Sequence, residues 1–162
     1  MRKKLSVIVL ILMLGLSGRL LMGSGAKSEV LQLEYLVSHG NVTVFLINKS
    51  HTSLLLRVDT EGFRYSIHYT GNSGSKGRLS SPLEIPSYPT FILLEPASSD
   101  GDVTMKNAYV KTLDINKKSV ASIKELVVSS MYYPLDKSAG GDFEKNLIHC
   151  LLIGSEMEVK GN

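Results

Sequence analysis

Apolar and polar residues alternate along several stretches of the chain, and such alternation predicts β-strands. The clearest stretch is residues 63–70. Its apolar set is Phe63, Tyr65, Ile67 and Tyr69, and its polar set is Arg64, Ser66, His68 and Thr70. Because side chains of a strand point to opposite faces in turn, the two sets lie on opposite sides of a sheet. We therefore expect the apolar set to face the core and the polar set to face outward.

Other strands are predicted at a spacing of about ten residues, separated by polar turns. They are residues 29–37, 42–47, 53–59, 90–95 and 108–113, with a short edge strand at 83–85. Residues 42–47 are almost continuously apolar, which is typical of a strand buried on both faces. Short strands at this spacing favour a mainly β fold, an antiparallel β-sandwich of the immunoglobulin-like kind. An α+β fold is the alternative.

The last third of the chain leaves helix and strand open over residues 119–131 and 143–153. Val120, Ile123, Val127 and Met131 recur at helical spacing, with Ser119 placed as an N-cap. A second helical face follows a cap at Asp142 and holds Phe143, Leu147, Ile148, Leu151 and Leu152. We expect one or two short helices here, although both runs also suit strands.

Residues 71–82 contain three glycines and four serines, and we expect a mobile loop. Gly71, Gly74 and Gly77 lie near Lys76 and Arg78, which raises the question of a phosphate-binding loop. Such a loop needs a Gly-Lys-Ser/Thr sequence at the start of a helix, and here Lys76 precedes a glycine. The flexible loop is the better interpretation.

Residues 1–26 have the order of a secretory signal peptide. A basic cluster at residues 2–4 precedes a long apolar run, and small residues lead to Ala26. We expect cleavage after Ala26, which leaves one exported domain over residues 27–162. An uncleaved anchor is the alternative, but Arg19 interrupts the apolar run, and spanning a bilayer takes about 20 apolar residues.

Charge and cysteine content exclude several classes of function. The formal net charge of +3 comes from 18 basic and 15 acidic residues, and four of the basic residues lie in the first 26 positions. Removing those four leaves 14 basic against 15 acidic residues, so nothing indicates binding to nucleic acid. Cys150 is the only cysteine, which excludes an internal disulfide and a multi-cysteine metal site.

Candidate catalytic and metal-binding residues are few. The four histidines, His39, His51, His68 and His149, have no metal-ligand spacing. His149 adjoins Cys150, but neighbouring side chains point apart in a regular element and cannot act as a catalytic pair. Asp100 and Asp102 flank a glycine in a predicted turn and lack the further oxygen ligands that calcium prefers. We expect no cofactor, no metal and no enzyme activity.

Two further surface functions come from short motifs. Tyr132 and Tyr133 are candidates for stacking on a sugar, although the adjacent Pro134 suits a packed corner equally well. Asn41 and Asn48 each begin a glycosylation sequon. Asn48 lies in a predicted turn, as an acceptor should, whereas Asn41 opens a strand.

The sequence therefore predicts an exported β-sandwich module that is secreted, periplasmic or on the cell surface. We expect a non-catalytic role in protein interaction or structure, with another envelope or extracellular protein as partner. Membrane contact is expected only through the N-terminal segment, if that segment is not cleaved. The alternative is a small exported hydrolase or inhibitor whose site comes from residues distant in sequence.

Overall fold

Eleven strands make up the described part of the computed structural model. It describes residues 21–27, 30–38, 40–82, 88–97, 103–115, 120–135, 146–154 and 156–158. The strands are β1 (Leu21–Lys27), β2 (Leu31–Ser38), β3 (Asn41–Asn48), β4 (Leu54–Arg57), β5 (Phe63–Gly71), β6 (Lys76–Ser80), β7 (Phe91–Leu94), β8 (Ala108–Asp114), β9 (Val120–Pro134), β10 (Ile148–Gly154) and β11 (Met157–Glu158). The fold is mainly β, as the alternation predicts.

The strands form two antiparallel sheets. The small sheet has the order β1-β2-β3-β8, and β2 pairs with β3 along its whole length, from Leu31 opposite Asn48 to Ser38 opposite Asn41. The large sheet contains β4 to β7 and β9 to β11. Strand β1 joins the sheets, because Gly25 pairs with Gly154 of β10 while Leu21–Ser24 and Lys27 pair with β2.

The apolar core lies between the sheets and takes side chains from both. Tyr35 of the small sheet is fully buried, and its ring lies directly against Gly154 of the large sheet. Phe63 of β5 meets Tyr109 of β8 edge to face, with ring centroids 5.6 Å apart. As expected for residues 42–47, β3 is buried on both faces, and its outer side chains Phe45 and Ile47 form a second, smaller cluster.

The expected loop at residues 71–82 is wrong in its central part. Lys76–Ser80 forms β6, which pairs with β5 in a hairpin, and His68 lies opposite Arg78. Gly74 in the turn has a φ of 78°, a conformation that glycine adopts without steric cost. Glycine and serine therefore mark the turn here, while Lys76, Arg78 and Ser80 keep the outward positions of a strand.

The expected helices are also wrong, since residues 120–134 and 148–154 are strands β9 and β10. In β9 the register shifts so that Lys124 is an extra residue between the pairs formed by Ile123 and Glu125. The predicted helical face is therefore divided between the two sides of the sheet, since Ile123 is buried and Val127 lies beside Ser66 on the other side. Ser119, Asp142, Phe143 and the predicted strand at 83–85 lie outside the described residues.

A polar network fixes the turn between β4 and β5. The carboxylate of Asp59 is almost fully buried and accepts hydrogen bonds from Arg57 Nε at 2.7 Å and from Thr90 N at 2.9 Å. The backbone N–H groups of Glu61 and Gly62 also donate to it. Burial alone would raise the pKa of Asp59, but these hydrogen bonds outweigh burial and lower it.

Replacing Asp59 should destabilise the fold in a pH-dependent way. Asp59→Ala leaves Arg57 and three backbone donors without their acceptor, so we expect a loss of about 3 kcal/mol at pH 7. Because the folded-state pKa lies below the unfolded value of about 3.9, this contribution is complete above that value and fades as the pH falls through the folded-state pKa. Urea unfolding of both proteins from pH 7 to pH 3 should show the gap closing.

Glu61→Ala is the matched control for Asp59→Ala. The Glu61 side chain is 37% exposed, and among the described residues it bonds only Arg57. An exposed ion pair is worth about 1 kcal/mol or less. Equal losses in the two variants, or a gap that does not change with pH, would contradict the network.

The register of β5 has its own test. Phe63 is buried against Tyr109 and lies under the Lys111 ammonium group, whereas Arg64 is exposed. Phe63→Ala should cost about 3–5 kcal/mol, and Arg64→Ala should change stability by less than about 0.5 kcal/mol. Thermal unfolding measures both, and a reversed order would mean a register wrong by one residue.

Candidate interaction face

The outward side of the large sheet, here called the outer face, is built by β6, β5, β9 and β10. Across these strands Ser80, Ser66, Val127 and Ile153 form one row, because each is the register partner of the next. Arg64, Ser129 and Leu151 form the neighbouring row. The polar set predicted for residues 63–70 does lie on this face, and Phe63 and Ile67 are buried on the other.

A groove of about 380 Å³ lies on the outer face, and we call it the donor groove. Its polar lining includes Thr60, Arg64, Tyr65, Ser66, Arg78, Ser80, Ser81 and Ser129. Arg78 Nε donates to Ser66 Oγ at 2.7 Å, and Arg64 Nε donates to the Thr60 carbonyl at 3.2 Å. Each of these bonds anchors a guanidinium group through Nε, and within the part of the chain that the structure describes no hydrogen bond uses its terminal N–H groups.

The donor groove has an excess of hydrogen-bond donors and positive charge. Among the described residues, no carboxylate lines the groove, and neither Arg64 nor Arg78 forms an ion pair. The Thr60 hydroxyl is buried there without a hydrogen-bond partner in the same part of the chain. Two uncompensated guanidinium groups beside hydroxyls are suited to an anionic oxygen, which Arg binds in a two-pronged geometry.

An apolar stripe runs beside the donor groove on the same face. It consists of Val127, Leu151 and Ile153, and the last two are 62% and 42% exposed. In β10 only the inward positions are well covered, with Leu152 at 1% exposure. Adjacent exposed apolar side chains on one face mark an interaction surface more often than isolated ones do.

The histidines and the cysteine lie apart. His149 points to the outer face and Cys150 inward, as adjacent residues of a strand must. Burial raises the pKa of the Cys150 thiol to about 11, which keeps it protonated at neutral pH. His68 lies 3.6 Å from the Glu125 carboxylate, His51 is exposed, and His39 lies outside the described residues.

The two predicted glycosylation sites, Asn41 and Asn48, lie at the two ends of β3. Asn48 is fully buried, and its Nδ2 donates to the carbonyls of Thr52 and Glu95, both at 2.9 Å. Its Oδ1 accepts from the N–H and hydroxyl of Ser50. In the folded protein, an amide nitrogen that already donates these hydrogen bonds is poorly available for the attachment of a sugar. Asn41 opens β3, as the sequence predicts, and is half-buried.

The remaining candidates are the two tyrosines for sugar stacking and the two aspartates for calcium. Tyr132 and Tyr133 are buried at 7% exposure each, as the packed corner predicts, and do not present rings for a sugar. Asp100 and Asp102 lie outside the described residues. Among the residues that are described, no three His, Cys, Asp or Glu side chains cluster as metal ligands, and no helix has the length and apolarity to cross a bilayer.

Sequence reasoning missed the donor groove because it missed β6. The alternation of residues 63–70 places Arg64 and Ser66 on the outer face, but a loop at 71–82 leaves Arg78 without a position. The available signal was the polar alternation of Lys76, Arg78 and Ser80, directly after a Gly-Asn-Ser-Gly turn.

Comparison with known proteins adds no family. No model of a known protein family matches this chain, and no curated protein matches it. What the outer face binds must therefore be inferred from its own charge, donors and exposed apolar area.

Proposed function

We propose that this chain is an exported immunoglobulin-like β-sandwich that binds a partner protein of the cell envelope or extracellular space without catalysing a reaction. The single observation that carries the proposal is the adjacency of the donor groove and the apolar stripe on the outer face. The short antiparallel strands, in two sheets around a shared core, support the sandwich. The signal-like order of residues 1–26 supports export.

Charge complementarity defines the partner. Arg64 and Arg78 bring two unneutralised positive charges to the groove, so the partner is expected to present Asp or Glu carboxylates there. Leu151 and Ile153 add apolar area next to those charges. Interfaces combine buried apolar anchors with charged groups that fix register, and this face offers both kinds of contact. A protein surface with an acidic residue beside apolar side chains fits it.

A non-catalytic role is supported by the Cys150 thiol, the most reactive of the candidate groups, because it stays protonated. The Cys150 thiol has a pKa raised to about 11 by burial, and the imidazole of His149 lies on the opposite side of β10. A cysteine nucleophile needs a nearby base and a lowered pKa. The hydrolase alternative would require a site built from other residues.

Paired substitutions on the outer face test the proposal. Arg64→Gln with Arg78→Gln removes both charges, and Leu151→Ser with Ile153→Ser removes the apolar contact. Each pair should weaken partner binding by about tenfold or more, since about 1.4 kcal/mol is tenfold in affinity. The measurement is quantitative co-purification from the native envelope, followed by titration of the purified partner at two salt concentrations.

Lys106→Gln is the control, because Lys106 is 73% exposed, outside the outer face, and weakly paired with Glu95. It should bind like the wild type. A partner that both outer-face double variants retain in full would contradict the proposal. So would turnover of a hydrolase substrate that is lost on replacing His68 or His149, since it would favour the enzyme alternative.

A further inference from the structure

Strand β1 is the seam between the two sheets. Its backbone pairs with β2 through Leu21, Met22, Gly23 and Ser24, and Gly25 then reaches Gly154 of β10. The same strand therefore closes the edge of the small sheet and connects it to the large sheet. The predicted signal cleavage after Ala26 falls inside this strand, so cleavage there removes all of β1 except Lys27.

Strand β2 is poorly suited to being an edge. Leu33 and Tyr35 are fully buried, and Leu36 on its other face is 4% exposed. Natural edge strands carry charges, prolines or bulges that prevent pairing with another chain, and the stretch of β2 covered by β1 has one charged residue, Glu34. Without β1, the N–H and C=O groups along this stretch lose their partners, and such groups are strongly driven to find new ones.

We propose that cleavage at Ala26 turns the edge of β2 into an acceptor slot for an extended strand from a partner protein, which replaces β1 between β2 and β10. This inference rests on the export and cleavage in the proposed function but not on the outer face. The chemistry of the incoming strand follows from the part of β1 that cleavage would remove, Leu-Met-Gly-Ser-Gly-Ala: apolar residues first and small residues after them.

Close packing explains why small residues are needed at the seam. A Cβ atom on Gly154 would lie 2.8 Å from Tyr35 Cε1. Opposed residues of an antiparallel pair present their side chains on the same face, so a side chain on the residue opposite Gly154 would meet the same ring. The incoming strand should therefore carry glycine opposite Gly154. Backbone hydrogen bonds supply the affinity and the small residues supply the selectivity, as in other cases of strand addition.

The test begins with the product that the host exports. Its intact mass should correspond to a chain that starts at Lys27. A fluorescent peptide with the sequence of residues 19–27, Arg-Leu-Leu-Met-Gly-Ser-Gly-Ala-Lys, is then titrated into this protein. We expect one peptide per chain and a rise in Tm of about 5–10 °C at saturating peptide.

Two control peptides keep the composition close to the original. In the first control peptide, Gly23 and Ser24 are both replaced by proline. One of these two residues directs its N–H towards β2, so the double change removes that hydrogen bond and should weaken binding by about tenfold or more. Gly25→Val introduces bulk at the seam and should have a similar effect. Protein with Arg64→Gln and Arg78→Gln should bind the original peptide as the wild type does, which separates this slot from the outer face.

Three results would overturn the inference. A native chain that begins before Leu21 keeps its own β1, so it has no slot. An exported chain that starts at Lys27 but binds the original and proline peptides equally has no strand acceptor. A stable dimer that excludes the peptide would show that a second copy occupies the edge instead.

Discussion

Strand β9 hydrogen-bonds to four other strands of the large sheet: β5 and β4 along one edge, and β10 and β11 along the other. Its register therefore assigns every neighbouring side chain to the core or to the outer face. Leu126 and Val128 face the core, while Val127 and Ser129 line the outer face between them. A slip of one residue would exchange the two sets, so the core and the candidate interaction face depend on the same constraint.

Two buried polar side chains hold the edge strand β7 at its two ends. Asp59 accepts a hydrogen bond from Thr90 N just before β7, and Asn48 donates to the carbonyl of Glu95 just after it. Both side chains make several further hydrogen bonds, so their burial costs little. At Asn48, an amide in a turn with a nearby hydroxyl suggested a glycosylation site. In the folded chain these same groups serve this structural role.

Local apolar patterns were sufficient to predict β2 to β5 and β7, because in those strands one face or both faces are almost entirely apolar. They also predicted β8, although Lys111 and Thr112 interrupt its two faces. They failed at β9, where the bulge at Lys124 changes the spacing, and at β10, whose apolar run also suits a helix. They failed as well at β6, where exposed Lys76, Arg78 and Ser80 alternate with only Gly77 and Leu79. The donor groove joins Arg64 with Arg78, fourteen positions along the chain and across a hairpin. Only the pairing of strands brings such residues together. Local patterns therefore predicted the positions of Arg64 and Ser66 but not that of Arg78.

The native cysteine offers the most direct test of the register of β9. Ser130 lies opposite Cys150, and both point inward. Opposed residues of antiparallel strands have Cα atoms about 4.5–5.5 Å apart, within the range that a disulfide spans. With Ser130→Cys, mild oxidation should therefore remove both free thiols and lower the intact mass by two hydrogens. With Ser129→Cys, whose side chain faces outward, both thiols should remain. Closure in the Ser129→Cys variant, or none in Ser130→Cys, would contradict this register and the core and outer face that depend on it.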